Sequence, residues 1–149
     1  AAIGSGADTA ADALKLGAHI YIDSQAGDAG EQLNRMGGAS AIILTTNSAR
    51  GIPPLLNGPA PRGRIVVLGA GKEPLAVPVG QLVSGERSIL GSITGSPYEN
   101  EKALAFSALT DARPWIETLP LERAADAYRR MKSGQVKYRM VLTTLRAGS

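Results

Sequence analysis

The sequence predicts an α/β fold, a mainly parallel sheet flanked by helices. Three observations carry that expectation. Short apolar runs alternate with helix-length segments along the chain, the ordering that winds strands into a parallel sheet through helical crossovers. One run, Ala41-Ile42-Ile43-Leu44, is continuously apolar, as in a strand covered on both faces, and Arg64-Ile65-Val66-Val67-Leu68 is a second clear strand. The chain is also poor in aromatics, with one Trp, one Phe and four Tyr in 149 residues, so small aliphatic side chains fill the core.

The elements follow in order. Residues 1–3 form a short apolar strand ending in Gly4-Ser5-Gly6. Asp8 is placed to cap a helix through Ala11, Leu14 and Leu16 that stops at Gly17, a residue suited to the left-handed end of a helix. His19-Ile20-Tyr21-Ile22 reads as the second strand, closed by Asp23-Ser24, and residues 28–36 as a helix stopped by Gly37-Gly38. The run 41–44 is the third strand, with Thr45-Thr46-Asn47-Ser48 as its polar exit. Pro and Gly are dense from Gly51 to Arg62, so a helix there is short or distorted. Residues 64–68 make the strongest strand, turned by Gly69-Ala70-Gly71. An extended stretch at 75–79 and a short helix at 79–84 follow. Residues 88–94 are a strand broken by Gly91. Pro97, Glu99 and Glu101 open a helix reaching Leu109, with acids where the helix dipole favours them. Residues 115–119 are extended. Residues 121–132 form an amphipathic helix with Ala124, Ala125, Tyr128 and Met131 on one face, stopped by Gly134, and 136–144 are the last strand.

Composition removes several functions. With no Cys there is no disulfide framework, thiolate metal site or cysteine nucleophile, and His19, the single histidine, builds no metal site alone. His19 sits in an apolar strand and reads as packing rather than as a base; Asp23-Ser24 and Asp111 read as turn or cap residues. The net charge is +3, and the basic cluster of Arg129, Arg130, Lys132, Lys137 and Arg139 reads as a solvated helix end, not a nucleic-acid surface. No apolar run approaches the roughly 20 residues of a membrane span. The first residues lack a signal-peptide pattern, so a cytoplasmic protein is expected.

In an open α/β sheet, ligands bind beyond the carboxyl ends of the strands. That rule nominates Gly4-Ser5-Gly6, Thr45-Thr46, Gly69-Ala70-Gly71 and Ser92-Ile93-Thr94-Gly95. Glycines there admit a flat ligand, and hydroxyls can bind a ribose or phosphate; the same glycines also make plain turns, and the pattern leaves both roles open. Neither G-x-G-x-x-G nor G-x-x-x-x-G-K-[ST] occurs, and no G-x-S-x-G marks a nucleophile elbow.

Five segments together resemble the zinc-type medium-chain alcohol dehydrogenases. They are residues 15–24 (Lys15-Leu16-Gly17-Ala18 through Ile22-Asp23-Ser24), residues 63–69 (Gly63-Arg64-Ile65-Val66-Val67-Leu68-Gly69) and residues 88–96 (Ser88-Ile89-Leu90-Gly91-Ser92-Ile93-Thr94-Gly95-Ser96). Leu119-Pro120-Leu121 with the helix that follows, and residues 131–142, complete the set. The resemblance covers essentially the whole chain, in order and at family-like spacing.

It implies an NAD or NADP cofactor and assigns residues to it. Gly4 and Ser5 stand where the family carries the acid that binds the adenosine ribose. Without that acid, and with no arginine beside the position, the resemblance leaves NAD and NADP both open. Thr45 and Thr46 match the loop bracketing the riboses, and Leu68, in the turn with Gly69, and Ser92 match carbonyls that hold the nicotinamide carboxamide. Thr94 matches the N–H that completes that pairing, and Arg139 an arginine near the pyrophosphate.

The resemblance also implies what the chain does not supply. The family's zinc ligands lie in an amino-terminal domain, and its first strand and glycine-rich turn would precede Ala1. The expected fold is therefore an incomplete doubly wound, Rossmann-like sheet. Its order is 3-2-1-4-5-6 without strand 1, which leaves two blocks with unpaired inner edges. Residues 1–96 are expected to form a partial dinucleotide-binding domain, and residues 97–149 a tail that in the family returns to the catalytic domain. Truncation, proteolysis or an incomplete sequence is the expected origin. The expected function is that of a cofactor-binding fragment of a zinc-dependent alcohol dehydrogenase, inactive alone. The alternative is a self-associating structural module, a homo-oligomer pairing through the strand at 88–94; a stand-alone nucleotide-binding regulator is a third reading.

Overall fold

A computed structural model describes residues 1–48, 52–69 and 71–144, and the chain divides into two compact units, Ala1–Thr94 and the remainder from Gly95. Gly51, which opens the Pro- and Gly-dense stretch, and Ala70, the middle of the expected Gly69-Ala70-Gly71 turn, lie outside the described residues.

In the first unit β1 (Ala2–Gly4) pairs in parallel with β2 (Tyr21–Asp23), Ile3 opposite Ile22. A 3₁₀ turn, Ala7–Thr9, and α1 (Ala10–Lys15) connect them, and Gly17, at φ 99°, turns the chain out of the helix. α2 (Ala29–Arg35) is capped by Asp28, whose Oδ1 accepts the Glu31 N–H at 2.9 Å, and Gly37 and Gly38 end it with positive φ. β3 (Ala39–Leu44), β4 (Pro59–Val67) and β5 (Ser88–Gly91) form a second parallel sheet in that order, with a 3₁₀ helix at Pro53–Asn57 and α3 (Val79–Val83) in the connections.

One core serves both sheets. Ile22, Ile42, Leu44 and Ile65 from the strands meet Ala29 and Leu33 of α2 and Leu55 and Leu56 of the 3₁₀ helix. α2 lies on that 3₁₀ helix almost backbone to backbone: a β-carbon on Gly30 would stand 1.9 Å from the Pro54 carbonyl oxygen. The two blocks, β2-β1 and β3-β4-β5, are those expected of a doubly wound sheet without its central strand. Among the described residues β1 and β3 each keep one unpaired edge.

In the second unit β6 (Ile116–Pro120) pairs in parallel with β7 (Arg139–Thr143), and α5 (Ala124–Lys132) packs on both. α4 (Pro97–Thr110) begins with a reciprocal cap that the sequence carries as Ser96-Pro97-Tyr98-Glu99 and that the pattern reading overlooked. The Ser96 N–H donates to Glu99, which holds that carboxyl below its ordinary range. Asp111 ends α4 in the left-handed region, the cap role expected of it. Glu117 accepts the Lys137 N–H at 2.7 Å and pairs with Arg130, tying β6 to the segment before β7 and to α5. Those two contacts, the Lys137 N–H first, hold the Glu117 carboxyl low.

Several expectations are corrected. Asp8 lies inside the 3₁₀ turn and caps nothing; the residue before the turn is Gly6. His19 and Ile20 are exposed and precede β2, because α1 ends early and β1 offers pairing only from Ala2 to Gly4. β3 is not buried on both faces: Ile42 and Leu44 point into the core while Ile43 is 64% exposed, since α2 and the 3₁₀ helix cover one face only. β4 begins at Pro59 rather than Arg64. A proline can open a strand because that position needs no N–H, and Arg62 bends the strand at φ 61°. Residues 75–78 join no ladder, with Leu75 and Val77 packed on the core, and the short helix begins at Val79. β5 stops at Gly91, not Thr94, because its partner β4 leaves the ladder after Val67. The inward face of α5 is Ala124, Ala127 and Arg130, not Ala125, Tyr128 and Met131; small residues let the helix approach β6 and β7 while Arg130 reaches Glu117.

Candidate functional site

The register of the second sheet places Leu44, Val67 and Gly91 side by side, so Thr45, Leu68 and Ser92 leave β3, β4 and β5 along one edge. Backbone bonds stitch these exits together: the Leu68 N–H donates to the Leu44 carbonyl at 2.9 Å and the Ser92 N–H to the Val67 carbonyl at 3.0 Å. Thr45, Thr46, Leu68 and Ser92 are all exposed there. Thr94, two residues beyond Ser92, is exposed and makes no hydrogen bond to another described residue.

Sequence left two roles open for the glycines after β4. The structure shows what their missing side chains make room for. A β-carbon on Gly69 would stand 1.9 Å from the Thr46 carbonyl oxygen, and one on Gly71 2.3 Å from that of Asn47. The two loops therefore touch through their backbones, and Thr46 Oγ1 stiffens its own loop by accepting the Ser48 N–H at 3.1 Å. Asn47 is a part of this edge that the sequence reading did not single out.

The turn after β1 is built from β2. Asp23 Oδ1 accepts the Gly6 N–H and the Gln25 N–H, each at 2.9 Å. The Tyr21 hydroxyl donates to the Gly6 carbonyl at 2.7 Å and lies 2.6 Å from Thr9 Oγ1. Ser24 Oγ donates to the Gly4 carbonyl at 2.8 Å, and Gln25 Nε2 donates to Ser5 Oγ at 2.7 Å. A β-carbon on Gly4 would meet the Tyr21 hydroxyl at 2.4 Å. Asp23 and Ser24 close β2 and turn the chain, the role expected of them, and they also fix the Gly4-Ser5-Gly6 turn of the neighbouring strand. Parallel pairing of equal-length strands carried the signal, since Gly4 stands opposite Asp23.

Arg139 opens β7 in the second unit and is exposed. The second unit has an open depression of about 440 Å³ lined by Arg123, Asp126, Arg129, Arg130, Ser133 and Gln135. Its charges are spent internally. Asp126 accepts from Arg129 and Arg123, which hold its carboxyl below the ordinary range, and Arg130 pairs with Glu117.

The chain has no Cys and one His, and among the described residues no group of three or more His, Cys, Asp or Glu could hold a metal ion. No described helix is long and apolar enough to cross a membrane.

Comparison with known proteins places these features. A family profile described as zinc-binding dehydrogenase matches residues 1–108. Over 142 residues the chain is 37% identical to alcohol dehydrogenase notN of Aspergillus sp. (strain MF297-2), covering 95% of this chain and 42% of that one. It is 33% identical to NADP-dependent alcohol dehydrogenase C 1 of Mycolicibacterium smegmatis, covering 89% of this chain and 38% of the relative. Among solved structures, a cinnamyl alcohol dehydrogenase of Sorghum bicolor superposes with a TM-score of 0.79 at 27% identity, over 94% of this chain and 39% of that one. An NAD-dependent alcohol dehydrogenase superposes with a TM-score of 0.80 at 25% identity, over 96% and 43%. The chain thus spans about two fifths of the length of the relatives it matches.

Proposed function

The chain belongs to the zinc-binding dehydrogenase family, and from that premise we propose that it is the cofactor-holding part of an NAD(P)-linked alcohol dehydrogenase. The carboxyl edge of β3, β4 and β5 carries the reading, because Thr45, Leu68 and Ser92 emerge there side by side from adjacent parallel strands. In this reading the Leu68 and Ser92 carbonyls and the Thr94 N–H hold the carboxamide. A carboxamide has a donor and an acceptor, and meeting both fixes which face of its ring is presented. Thr45 and Thr46 bracket ribose hydroxyls, Gly4 and Ser5 bear on the adenosine ribose, Gly69 keeps the edge closed, and Arg139 bears on the diphosphate. The exposed hydroxyls and the unpaired Thr94 N–H suit such a ligand in donor chemistry. When bound, the cofactor supplies the hydride acceptor; this chain's residues bind and orient it. The donor set does not suit zinc, so no metal step is assigned to the chain, and we assign it no alcohol oxidation by itself. Residues 1–96 are the cofactor part in this reading and 97–149 a tail that packs elsewhere in a longer protein.

Titrating the ¹⁵N-labelled chain with NADH should move the amide signals of Thr45, Gly69 and Ser92 together. Saturation is expected only at about 1 mM or above, which corresponds to about 4 kcal/mol of binding free energy. A spectrum unmoved at ten times that concentration, or one moved only around the α5 depression, would overturn the reading.

The second reading, self-association along residues 88–94, has one observation in its favour: β5 is an edge strand of its sheet. It predicts a dimer mass by light scattering, and a monomer across the micromolar range rules it out.

A further inference from the structure

We infer that Asn57-Gly58 is a self-modification site: the folded first unit shields this asparagine, and it deamidates when the core beneath it opens. The change is one-way, because the product no longer fits the space that Gly58 occupies. Nothing in it depends on the cofactor reading above.

The reaction needs only water. The Gly58 backbone nitrogen, after losing its proton to base, attacks Cγ of the Asn57 side chain. A C–N bond forms, the side-chain amide leaves as ammonia, and a five-membered succinimide ring results. Water then opens the ring at one of its two carbonyls. Opening at Cγ gives aspartate; opening at the main-chain carbonyl gives isoaspartate, in which the backbone runs through Cβ. Of the four asparagines, Asn34, Asn47, Asn57 and Asn100, only Asn57 precedes a glycine. Glycine has no β-carbon to obstruct the attack, and it turns freely in an open chain. Asn57 itself is exposed, and its side chain makes no hydrogen bond to another described residue.

The fold blocks the first step at Gly58. Its N–H, which carries the nucleophile, donates to the Leu55 carbonyl at 2.9 Å, and its carbonyl accepts the Ala39 N–H at 2.9 Å. It keeps a right-handed helical backbone where the Pro53–Asn57 helix ends. Gly58 is also buried: a β-carbon there would stand 2.8 Å from Leu33 Cδ1 and 3.1 Å from Ile42 Cδ1. Leu55 and Leu56, just before it, belong with Leu33 and Ile42 to the core. The nitrogen can swing towards Cγ only when that cluster lets go, so a buried neighbour protects an exposed amide. The same contacts reject the product. Isoaspartate lengthens the main chain by one carbon, about 1.5 Å. A close-packed interior has no room for that length between Leu56 and Gly58. Either the two bonds of Gly58 break or the leucines leave the core.

The test is peptide mapping of residue 57 by mass spectrometry after incubating the 149-residue chain in mildly alkaline buffer. In denaturing guanidinium chloride Asn57 should react faster than Asn34, Asn47 and Asn100. In native buffer it should react at least about a hundredfold more slowly, because only the open fraction of molecules is competent. Denaturant added below the unfolding midpoint should raise the native rate in step with the unfolded fraction. After ageing in denaturant and dilution, chains carrying isoaspartate should collect in the unfolded fraction. Asn57→Gln, which keeps the exposed amide but cannot close the same ring, should refold fully after the same ageing. Equal rates in native buffer and in denaturant, or a native rate indifferent to added denaturant, overturns the shielding. Isoaspartate chains that refold as completely as fresh ones overturn the one-way step.

Discussion

Replacing Ile65 with Ala is expected to destabilise the first unit by about 3–4 kcal/mol, the usual cost of emptying a β-branched side chain from a packed interior. Ile65 is 2% exposed and lies on the middle strand of β3-β4-β5, between Ile42 and Ile89 in register. Its neighbours come from rigid strands rather than flexible loops, so the void cannot collapse. The loss is a large fraction of the roughly 5–15 kcal/mol that holds an ordinary domain together. Urea unfolding followed through the amide signals of β3 and β4 should show a midpoint shift of that size at unchanged slope. A shift under about 1 kcal/mol would mean that the three strands are not the centre of the core.

The second large effect comes from adding atoms. In an open helix Gly→Ala gains up to about 1 kcal/mol from backbone propensity. At Gly30 the same change puts a methyl 1.9 Å from the Pro54 carbonyl oxygen, and that oxygen belongs to the backbone and cannot swing aside. Separating α2 from the Pro53–Asn57 helix costs about 3 kcal/mol or more, so the clash outweighs propensity and the net loss is about 2–3 kcal/mol. Gly80 in α3 is the matched control, since a β-carbon there meets nothing within 4 Å. Gly80→Ala should leave the midpoint unchanged or raise it. Equal behaviour of the two variants in thermal or urea unfolding would show that α2 does not lie against the 3₁₀ helix.

What the sequence disclosed and what it hid divide along physical lines. Strand and helix alternation reports local chemistry, and from it the order β1-α1-β2-α2-β3 through β7 was legible to within a few residues. Pairing was less so. That Ile43 points outward depends on which elements cover a sheet, and no period in Ala41-Ile42-Ile43-Leu44 distinguishes one covered face from two. β5 ends at Gly91 because β4 departs after Val67, a property of a different strand. The extension of β4 back to Pro59 was hidden by its prolines, which discourage a strand only where an N–H is required.

The site shows the same division. Thr45, Leu68 and Ser92 were found because they follow strands, and the rule that ligands sit beyond strand ends needs only sequence order. Tyr21, Asp23 and Gln25 were missed because their role is to hold a turn 15 to 20 residues away, through bonds that sequence spacing does not encode. Gly69 was read as either a turn or a ligand-facing gap. Its close neighbour is the Thr46 carbonyl, a contact that appears only when β3 and β4 lie side by side.

That contact has a mechanical outcome. Two loops that meet through their main chains have no slack, so displacement at the exit of β4 is transmitted to the exit of β3. A molecule settling on this rim freezes little that was free beforehand, and the entropic toll of immobilising segments on association is largely settled by folding. It also confines where recognition can diversify. Position 69 tolerates no side chain, which leaves Thr45, Ser92 and whatever faces them as the adjustable points of the rim.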